Sequence, residues 1–158
     1  MKELLDLIKK HEGYRSKTYQ CTEGYDTTGI GFAWKDLDFD KETANKILQE
    51  NKYNIEMSEE VCDIVLEEKI DAILGSLQKV APWVEESNQV VQMVIINMCY
   101  QMGVSGVMKF KKALAAMKNG EWDLAATELL DSRWAKQTPN RANELGDMTR
   151  GINDQWMF

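Results

Sequence analysis

Apolar residues near the start of the chain repeat at the spacing of an α-helix. Leu4, Leu5 and Ile8 alternate with charged residues, and Gly13 follows where such a helix would end. From residue 14 to residue 30 the pattern changes, because threonine, tyrosine and polar residues alternate around a turn at 22–24. The sequence therefore predicts a short first helix followed by a β-hairpin.

The rest of the chain has helical patterns separated by short breaks. Ser58 is a predicted N-cap and Pro139 a predicted first helical residue after Thr138. The segment 90–102 is almost entirely apolar, so its helix should be buried on all sides until residues 103–106 break it. We predict helices over 42–51, 58–77, 90–102, 110–118, 122–130 and from Pro139 onward. The buried side of the helix 58–77 is predicted to consist of Ile64, Val65, Ala72, Ile73 and Leu77.

These elements predict one domain of the α+β class, mainly α. We expect a small lobe over residues 12–57 that carries the hairpin, a connecting helix over 58–78, and an all-helical lobe over 79–158. Residues 1–11 are expected to pack on the helical lobe. A chain of 158 residues is long enough to bury a core of this kind without disulfides or metals.

Composition and charge restrict the classes of function. A net charge of −7, from 26 acidic and 19 basic residues, argues against a nucleic-acid partner. No apolar run approaches the ~18 residues of a membrane helix, and the charged start of the chain is not a signal peptide. We therefore predict a protein made in the cytoplasm, without membrane insertion, and nothing in the sequence points to an oligomer.

Cysteine and histidine usage excludes several kinds of site. Cys21, Cys62 and Cys99 are odd in number and far apart, and His11 is the only histidine. This pattern predicts no disulfide framework, no zinc site and no multi-histidine metal site, and the sequence as a whole implies no metal or cofactor. Cys62 and Cys99 have apolar neighbours and are predicted to be core residues. A hydrolase with Cys21 as nucleophile and His11 as base is a competing hypothesis, without a motif to support it.

Glu12 is the leading candidate for catalysis. It stands at the end of the first predicted helix, and the hairpin that follows could carry Cys21 and Thr27 to the other side of a cleft. Groups that face each other across a substrate bond can protonate the leaving group on one side and direct water from the other. Asp26 is a poorer candidate, because neighbouring strand residues point to opposite faces.

Several blocks of sequence resemble one family, the phage-type lysozymes of tailed coliphages, which are muramidases that cut peptidoglycan. The resemblance covers nearly the whole length of the chain. It is densest at Glu12-Gly13, Thr22-Glu23-Gly24-Tyr25, Thr27, Gly29-Ile30-Gly31, Ile96-Asn97-Met98, Gln101-Met102-Gly103, Ser132-Arg133-Trp134 and Gln137-Thr138-Pro139-Asn140-Arg141-Ala142.

The resemblance implies a role for each matching residue. Glu12 matches the general acid, Thr27 the threonine that helps to hold the attacking water, and Arg141 an arginine that pairs with the acid. The residues expected to line or border the saccharide cleft are Glu23, Phe32, Asn97, Tyr100, Gln101 and Arg133.

Three positions depart from the family pattern. Phe32 replaces a histidine and Lys69 replaces its acidic partner, which together look like a change in stabilisation. Cys21 replaces the catalytic aspartate and touches the chemistry directly. Three interpretations stay open: the thiol or thiolate is the base or nucleophile, Cys21 is a bystander while Thr27 and Glu12 act, or the enzyme is inactive.

The resemblance implies hydrolysis of the β-1,4 bond between N-acetylmuramic acid and N-acetylglucosamine in bacterial peptidoglycan. The expected setting is a phage endolysin that accumulates in the host cytoplasm and reaches the periplasmic wall once the membrane is permeabilised. A catalytically impaired, lysozyme-like module that binds a glycan or a protein is the alternative.

Overall fold

A computed structural model describes the backbone of residues 1–20, 26–29, 32–33 and 58–152, and the side chains of residues 1–14 and 58–152. The described chain is mainly helical, as predicted. The predicted turn at 22–24 and the predicted helix over 42–51 lie outside the described residues. The chain divides into two compact units, Met1–Glu68 and Lys69–Phe158, and each is described by itself.

The first unit begins with helix α1, Lys2–Glu12. Its buried residues are Leu4, Leu5 and Ile8, the three that set the sequence pattern. The helix ends at Gly13, whose φ of 72° suits glycine because this region of backbone conformation is disfavoured for residues with a Cβ. The Gly13 amide donates a hydrogen bond of 2.8 Å to the Lys9 carbonyl. The predicted first helix and its end at Gly13 are confirmed.

Three short strands follow α1 in the order β1-β2-β3, namely Arg15–Gln20, Asp26–Gly29 and Phe32–Ala33. Both pairings are antiparallel, and in the central strand Thr27 lies opposite Tyr19 on one side and Ala33 on the other. The third strand was not predicted. Its two residues are too few to show the alternation by which a strand is recognised in a sequence.

Helix α2, Glu59–Val80, begins where the sequence predicted. Ser58 Oγ accepts a hydrogen bond of 3.3 Å from the Val61 amide, and the acidic first turn suits the positive end of the helix dipole. Within the first unit, the ammonium group of Lys9 in α1 forms an ion pair with the carboxylate of Asp63 in α2.

The predicted buried side of α2 is wrong in part. Leu77 is buried as expected, but the other buried residues are Cys62, Leu66 and Ile70. Ile64 is 57% exposed and Ala72 is also exposed. Each of them stands two positions from a residue of the buried stripe, which is about 200° around a helix.

Among its described residues, the second unit contains the rest of α2 from Lys69 onward, a 3-10 turn at Pro82–Val84 and five further helices. These are α3 Gln89–Val107, α4 Lys111–Lys118, α5 Trp122–Leu130, α6 Arg133–Gln137 and α7 Pro139–Arg150. Helix α7 packs against α3, α5 and α6, and α4 packs against α5. The largest buried side chains of this unit include Ile95, Met98, Leu129, Leu145 and Ile152.

Helix α3 is interrupted at Gly103, where φ is 79° and ψ is 159°. The predicted break is thus confirmed at its first residue. Val91 and every residue from Val94 to Cys99 are buried, whereas Met93 and Tyr100 are partly exposed. The expectation of a helix buried on all sides therefore holds for most of its length.

By length and composition alone, α3 is the one helix of the described residues that could cross a membrane, with a mean hydropathy of 1.4. The expectation that no segment approaches this length is wrong by that measure. Glutamine and asparagine interrupt the apolar run, but the helix carries no charged residue and its many aliphatic residues keep the mean hydropathy high. The core helix of a water-soluble protein passes the same test, and 44% of the apolar window of α3 is buried.

The start of α7 confirms the predicted position of Pro139 but not the expected cap. Thr138 precedes the helix, yet its hydroxyl donates to the Trp134 carbonyl at 3.1 Å and makes no capping bond to the helix amides. The short helix α6 was not predicted. Its cap is Ser132, whose Oγ accepts from the Ala135 amide at 3.1 Å.

Candidate active site

Glu12 is the last residue of α1, and its side chain is half-buried. The last turn also contains Lys9 and Lys10, whose positive charges suit the negative end of the helix dipole. A carboxylate at this end is unfavourable for the helix by the same argument. Helix stability therefore does not account for a glutamate at this position.

Arg141 is buried in α7, where it is 8% exposed, and Asn97 of α3 holds it in place. Arg141 Nε donates to Asn97 Oδ1 at 2.8 Å, and Arg141 Nη2 donates to the Asn97 backbone oxygen at 3.3 Å. Burying a guanidinium costs free energy unless its N–H groups are satisfied, and these two bonds offset part of that cost. Asn97 is fully buried, so in this geometry it positions Arg141 from beneath the surface.

Gln101 occupies the next turn of α3 and is held by Trp134. The indole Nε1–H of Trp134 donates to Gln101 Oε1 at 2.8 Å. The ring of Phe110 meets the ring of Trp134 edge to face, with centroids 6.0 Å apart and an interplanar angle of 89°. Because the amide oxygen is engaged, the amide nitrogen of Gln101 is the end that can donate to a ligand.

Helix α3 thus carries two of the predicted cleft residues on one face, since Asn97 and Gln101 are four residues apart. The structure brings Arg141 to the first of them and Trp134 to the second. The matching blocks of sequence include Trp134, but its hydrogen bond to Gln101 was missed. The available signal was that a buried tryptophan normally finds a partner for its N–H group.

For the remaining predicted site residues, the structure describes only the exposure of the side chain, only the backbone, or neither. Tyr100 is half-buried in α3, and Arg133 is exposed at the start of α6. Thr27 and Phe32 have described backbone in β2 and β3, but their side chains lie outside the described residues. Cys21 and Glu23 lie outside them entirely. Glu12 and Arg141 belong to different units, so their pairing stays a prediction.

Two cysteines are buried in the interior, as predicted. Cys62 is 0% exposed and Cys99 is 2% exposed. Burial raises the pKa of the Cys99 thiol to about 12, so this group stays protonated at neutral pH and is a poor nucleophile. Among the residues that the structure describes, no group of histidine, cysteine and acidic side chains could hold a metal ion.

Comparison with protein families gives a match to phage lysozyme over residues 9–150. The matched segment includes both Glu12 and Arg141. The chain belongs to the phage lysozyme family, and the resemblance seen in the sequence blocks is confirmed.

Two of the related proteins are lysozymes of Dictyostelium discoideum. Probable T4-type lysozyme 2 is 33% identical over 156 residues, which covers 90% of each chain. Probable T4-type lysozyme 1 is 28% identical over 151 residues, which covers 89% of each chain.

A third relative is much longer than this chain. The pre-baseplate central spike protein Gp5 of Enterobacteria phage T4 is 35% identical over 153 residues. The match covers 90% of this chain but 26% of the spike protein, so the chain spans about a quarter of that relative.

Proposed function

We propose that this protein is a muramidase that hydrolyses the β-1,4 bond between N-acetylmuramic acid and N-acetylglucosamine in peptidoglycan. The observation that carries the proposal is the buried Arg141, held by Asn97 in a chain whose family match includes Glu12. A buried guanidinium is expensive to maintain, and support of a catalytic carboxyl is a function that accounts for it.

In the proposed mechanism, Glu12 is the general acid that protonates the glycosidic oxygen as the bond breaks. Arg141 acts as a positioning residue for Glu12. Thr27 and Cys21, from the proposed hairpin-bearing lobe, orient the water or supply the nucleophile. The Gln101 side chain is fixed by its hydrogen bond from Trp134, which leaves its amide nitrogen as a donor. We propose that this nitrogen donates a hydrogen bond to the saccharide. Glu23, Phe32, Tyr100 and Arg133 are proposed to border the same cleft.

The stereochemical course of the proposed reaction depends on whether Cys21 is the nucleophile or a bystander. A Cys21 thiolate that attacks the anomeric carbon, with Glu12 protonating the leaving oxygen, would form a covalent glycosyl–enzyme intermediate. Water activated by Glu12 would then release it, with retention of configuration. Water held by Thr27 and attacking directly would give inversion. A thiol of ordinary pKa, ~8.5, is mostly neutral near pH 7, so the direct route requires no unusual environment for Cys21.

The test is turnover of purified peptidoglycan by the wild type, Cys21→Ala and Cys21→Asp, with the product anomer read by NMR. Retained activity and inverted product in Cys21→Ala make Cys21 a bystander. Loss of activity in Cys21→Ala together with a retained product in the wild type makes it the nucleophile. A wild type without turnover, restored by Cys21→Asp, contradicts the proposal of an active enzyme.

The proposed setting is host lysis by a phage endolysin, with the protein reaching the periplasmic wall after the membrane is permeabilised. The similarity to a central spike protein favours a second candidate, a lysozyme-like module that works as part of a larger assembly. A catalytically impaired module would bind peptidoglycan or a partner protein without turnover. Binding measured alongside turnover on the same glycan separates the two.

A further inference from the structure

A groove in the second unit contains none of the residues assigned to the candidate active site. It lies between the 3-10 turn with its following loop and the turn that joins α4 to α5, and its volume is about 520 Å³. Trp83 and Trp122 line it, together with the buried side chains of Met117 and Ile152. This volume is in the range of small-ligand sites, and such sites also combine aromatic and polar lining residues.

The two tryptophans of this groove are half-buried, which leaves part of each indole at the surface. Trp122 begins α5 beside Gly120, where a Cβ would lie 3.7 Å from the Trp122 ring. Within the described part of the chain, neither indole N–H donates a hydrogen bond. Flat aromatic faces with a free N–H suit a ligand that is itself apolar on one face and polar at its edge, which describes a pyranose ring.

Polar side chains around the groove supply both donors and acceptors. Glu86, Lys118 and Asn119 line it, and their side chains make no hydrogen bond or ion pair to the described residues. Asn88 Oδ1 accepts from the Val90 amide at 2.7 Å, which leaves the Asn88 Nδ2 hydrogens as donors. One carboxylate and one ammonium group cancel in charge. The groove is therefore rich in hydrogen-bonding groups without favouring an ion of either sign.

The loop that carries Glu86 and Asn88 is held in place by Gln92. Its Nε2 donates to the carbonyl oxygens of Glu85 at 3.0 Å and Ser87 at 2.9 Å. Ser87 Oγ donates to the Val84 carbonyl at 2.6 Å. A loop fixed in this way loses less conformational entropy on binding, so its polar groups are pre-organised for a ligand.

We propose that this groove is a second glycan-binding site, which takes a short stretch of β-1,4-linked N-acetylated sugar outside the active site. Nucleic acid is disfavoured because the groove is lined by one lysine and one glutamate and the chain carries a net charge of −7. An apolar helix is disfavoured because it would leave the polar side chains unsatisfied. The choice of N-acetylated sugars rests on the proposed function.

The test is an NMR titration of the ¹⁵N-labelled full chain with tri-N-acetylchitotriose, followed through the tryptophan indole signals. Trp83→Phe and Trp122→Phe assign the two groove signals. The Trp134 indole donates to Gln101, so its signal reports separately on sugar at the predicted cleft. We expect the chemical shifts of the Trp83 and Trp122 indole signals to change with sugar concentration along one saturation curve. Maltotriose, which has no acetamido groups, should bind more weakly.

Matched variants identify the contacts. Glu86→Gln should weaken the sugar affinity measured from the groove signals roughly fivefold, because a charge-assisted hydrogen bond from a sugar hydroxyl becomes a neutral one. Glu67→Gln, an exposed glutamate of α2 outside the groove, should leave it unchanged. Both are surface changes that the fold should tolerate, and thermal melts verify this.

The outcomes separate this inference from the proposed function. Groove signals that stay fixed up to the solubility limit of the sugar overturn the inference, whatever Trp134 does. Fixed groove signals in a chain that hydrolyses peptidoglycan leave the proposed function standing alone. Moving groove signals in a chain without turnover support the second site and contradict the proposed enzyme.

Discussion

Replacing Asn97 by alanine removes an acceptor from the buried guanidinium of Arg141. The bond that is lost joins Arg141 Nε to Asn97 Oδ1 at 2.8 Å, between two side chains that are almost inaccessible to water. The second bond, from Nη2 to the Asn97 backbone oxygen, survives the substitution. The change therefore tests one hydrogen bond to a buried charge and leaves the backbone contact in place.

The expected cost follows from that geometry. A hydrogen bond to a charged group contributes about 1.5–3 kcal/mol, and the retained backbone acceptor favours the middle of this range, about 2 kcal/mol. For a chain of 158 residues this corresponds to a fall in Tm of about 4–8 °C. Asn97→Asp keeps an acceptor at the same place and should lose less stability than Asn97→Ala.

Urea unfolding followed by circular dichroism measures the loss, provided that the m value is unchanged. Asn143→Ala is the matched control, because Asn143 is exposed on the same helix as Arg141. Its free energy of unfolding should change by less than about 0.5 kcal/mol. If Asn97→Ala costs no more than this control, Asn97 does not hold the guanidinium and the argument for Arg141 fails.

Four further predictions concern the described fold. An added Cβ meets no atom within 4 Å at Gly103 or at Gly75, so backbone conformation alone should separate the two substitutions. Gly103→Ala should cost about 1–3 kcal/mol of unfolding free energy because φ is 79°, whereas Gly75→Ala in α2 should stabilise by about 0.5–1 kcal/mol. Urea unfolding should give these opposite signs, and equal signs would contradict the backbone argument. Since burial raises the pKa of Cys99 from 9.0 to about 12, its thiol should resist iodoacetamide at pH 8 until urea is added, as peptide mapping would show. The folded state should also lose stability as the pH rises from about 9 towards 12, because the unfolded chain releases that proton first. A double-mutant cycle of Lys9→Met and Asp63→Asn should give a coupling of about 0.5 kcal/mol that shrinks in high salt, and a coupling insensitive to salt would speak against a solvated ion pair.

Helix ends were predictable because their chemistry is local. Gly13, Ser58 and Gly103 each mark a boundary through their own backbone or side chain, and the structure places helix ends or a break at all three. The buried stripe of α2 was harder to predict. Apolar residues occur on several sides of that helix, so Ile64 looked as suitable for burial as the residues that are buried.

The candidate site was predictable only as a set of residue identities. Matching blocks of sequence pointed to Glu12, Asn97 and Arg141, but not to the bond between the last two. That bond joins residues 44 positions apart, and the Trp134–Gln101 bond spans 33 positions. Propensity and periodicity report only on near neighbours, so contacts over such distances become visible only once the helices are packed.

The most direct test of the central claim is the release of reducing ends from purified peptidoglycan by the wild type, Glu12→Gln and Glu67→Gln. Glu67 is an exposed glutamate on α2 and provides the matched loss of one negative charge. The account predicts turnover by the wild type and Glu67→Gln, and its loss in Glu12→Gln with the fold intact by circular dichroism. Full turnover in Glu12→Gln, or none in the wild type, would contradict it.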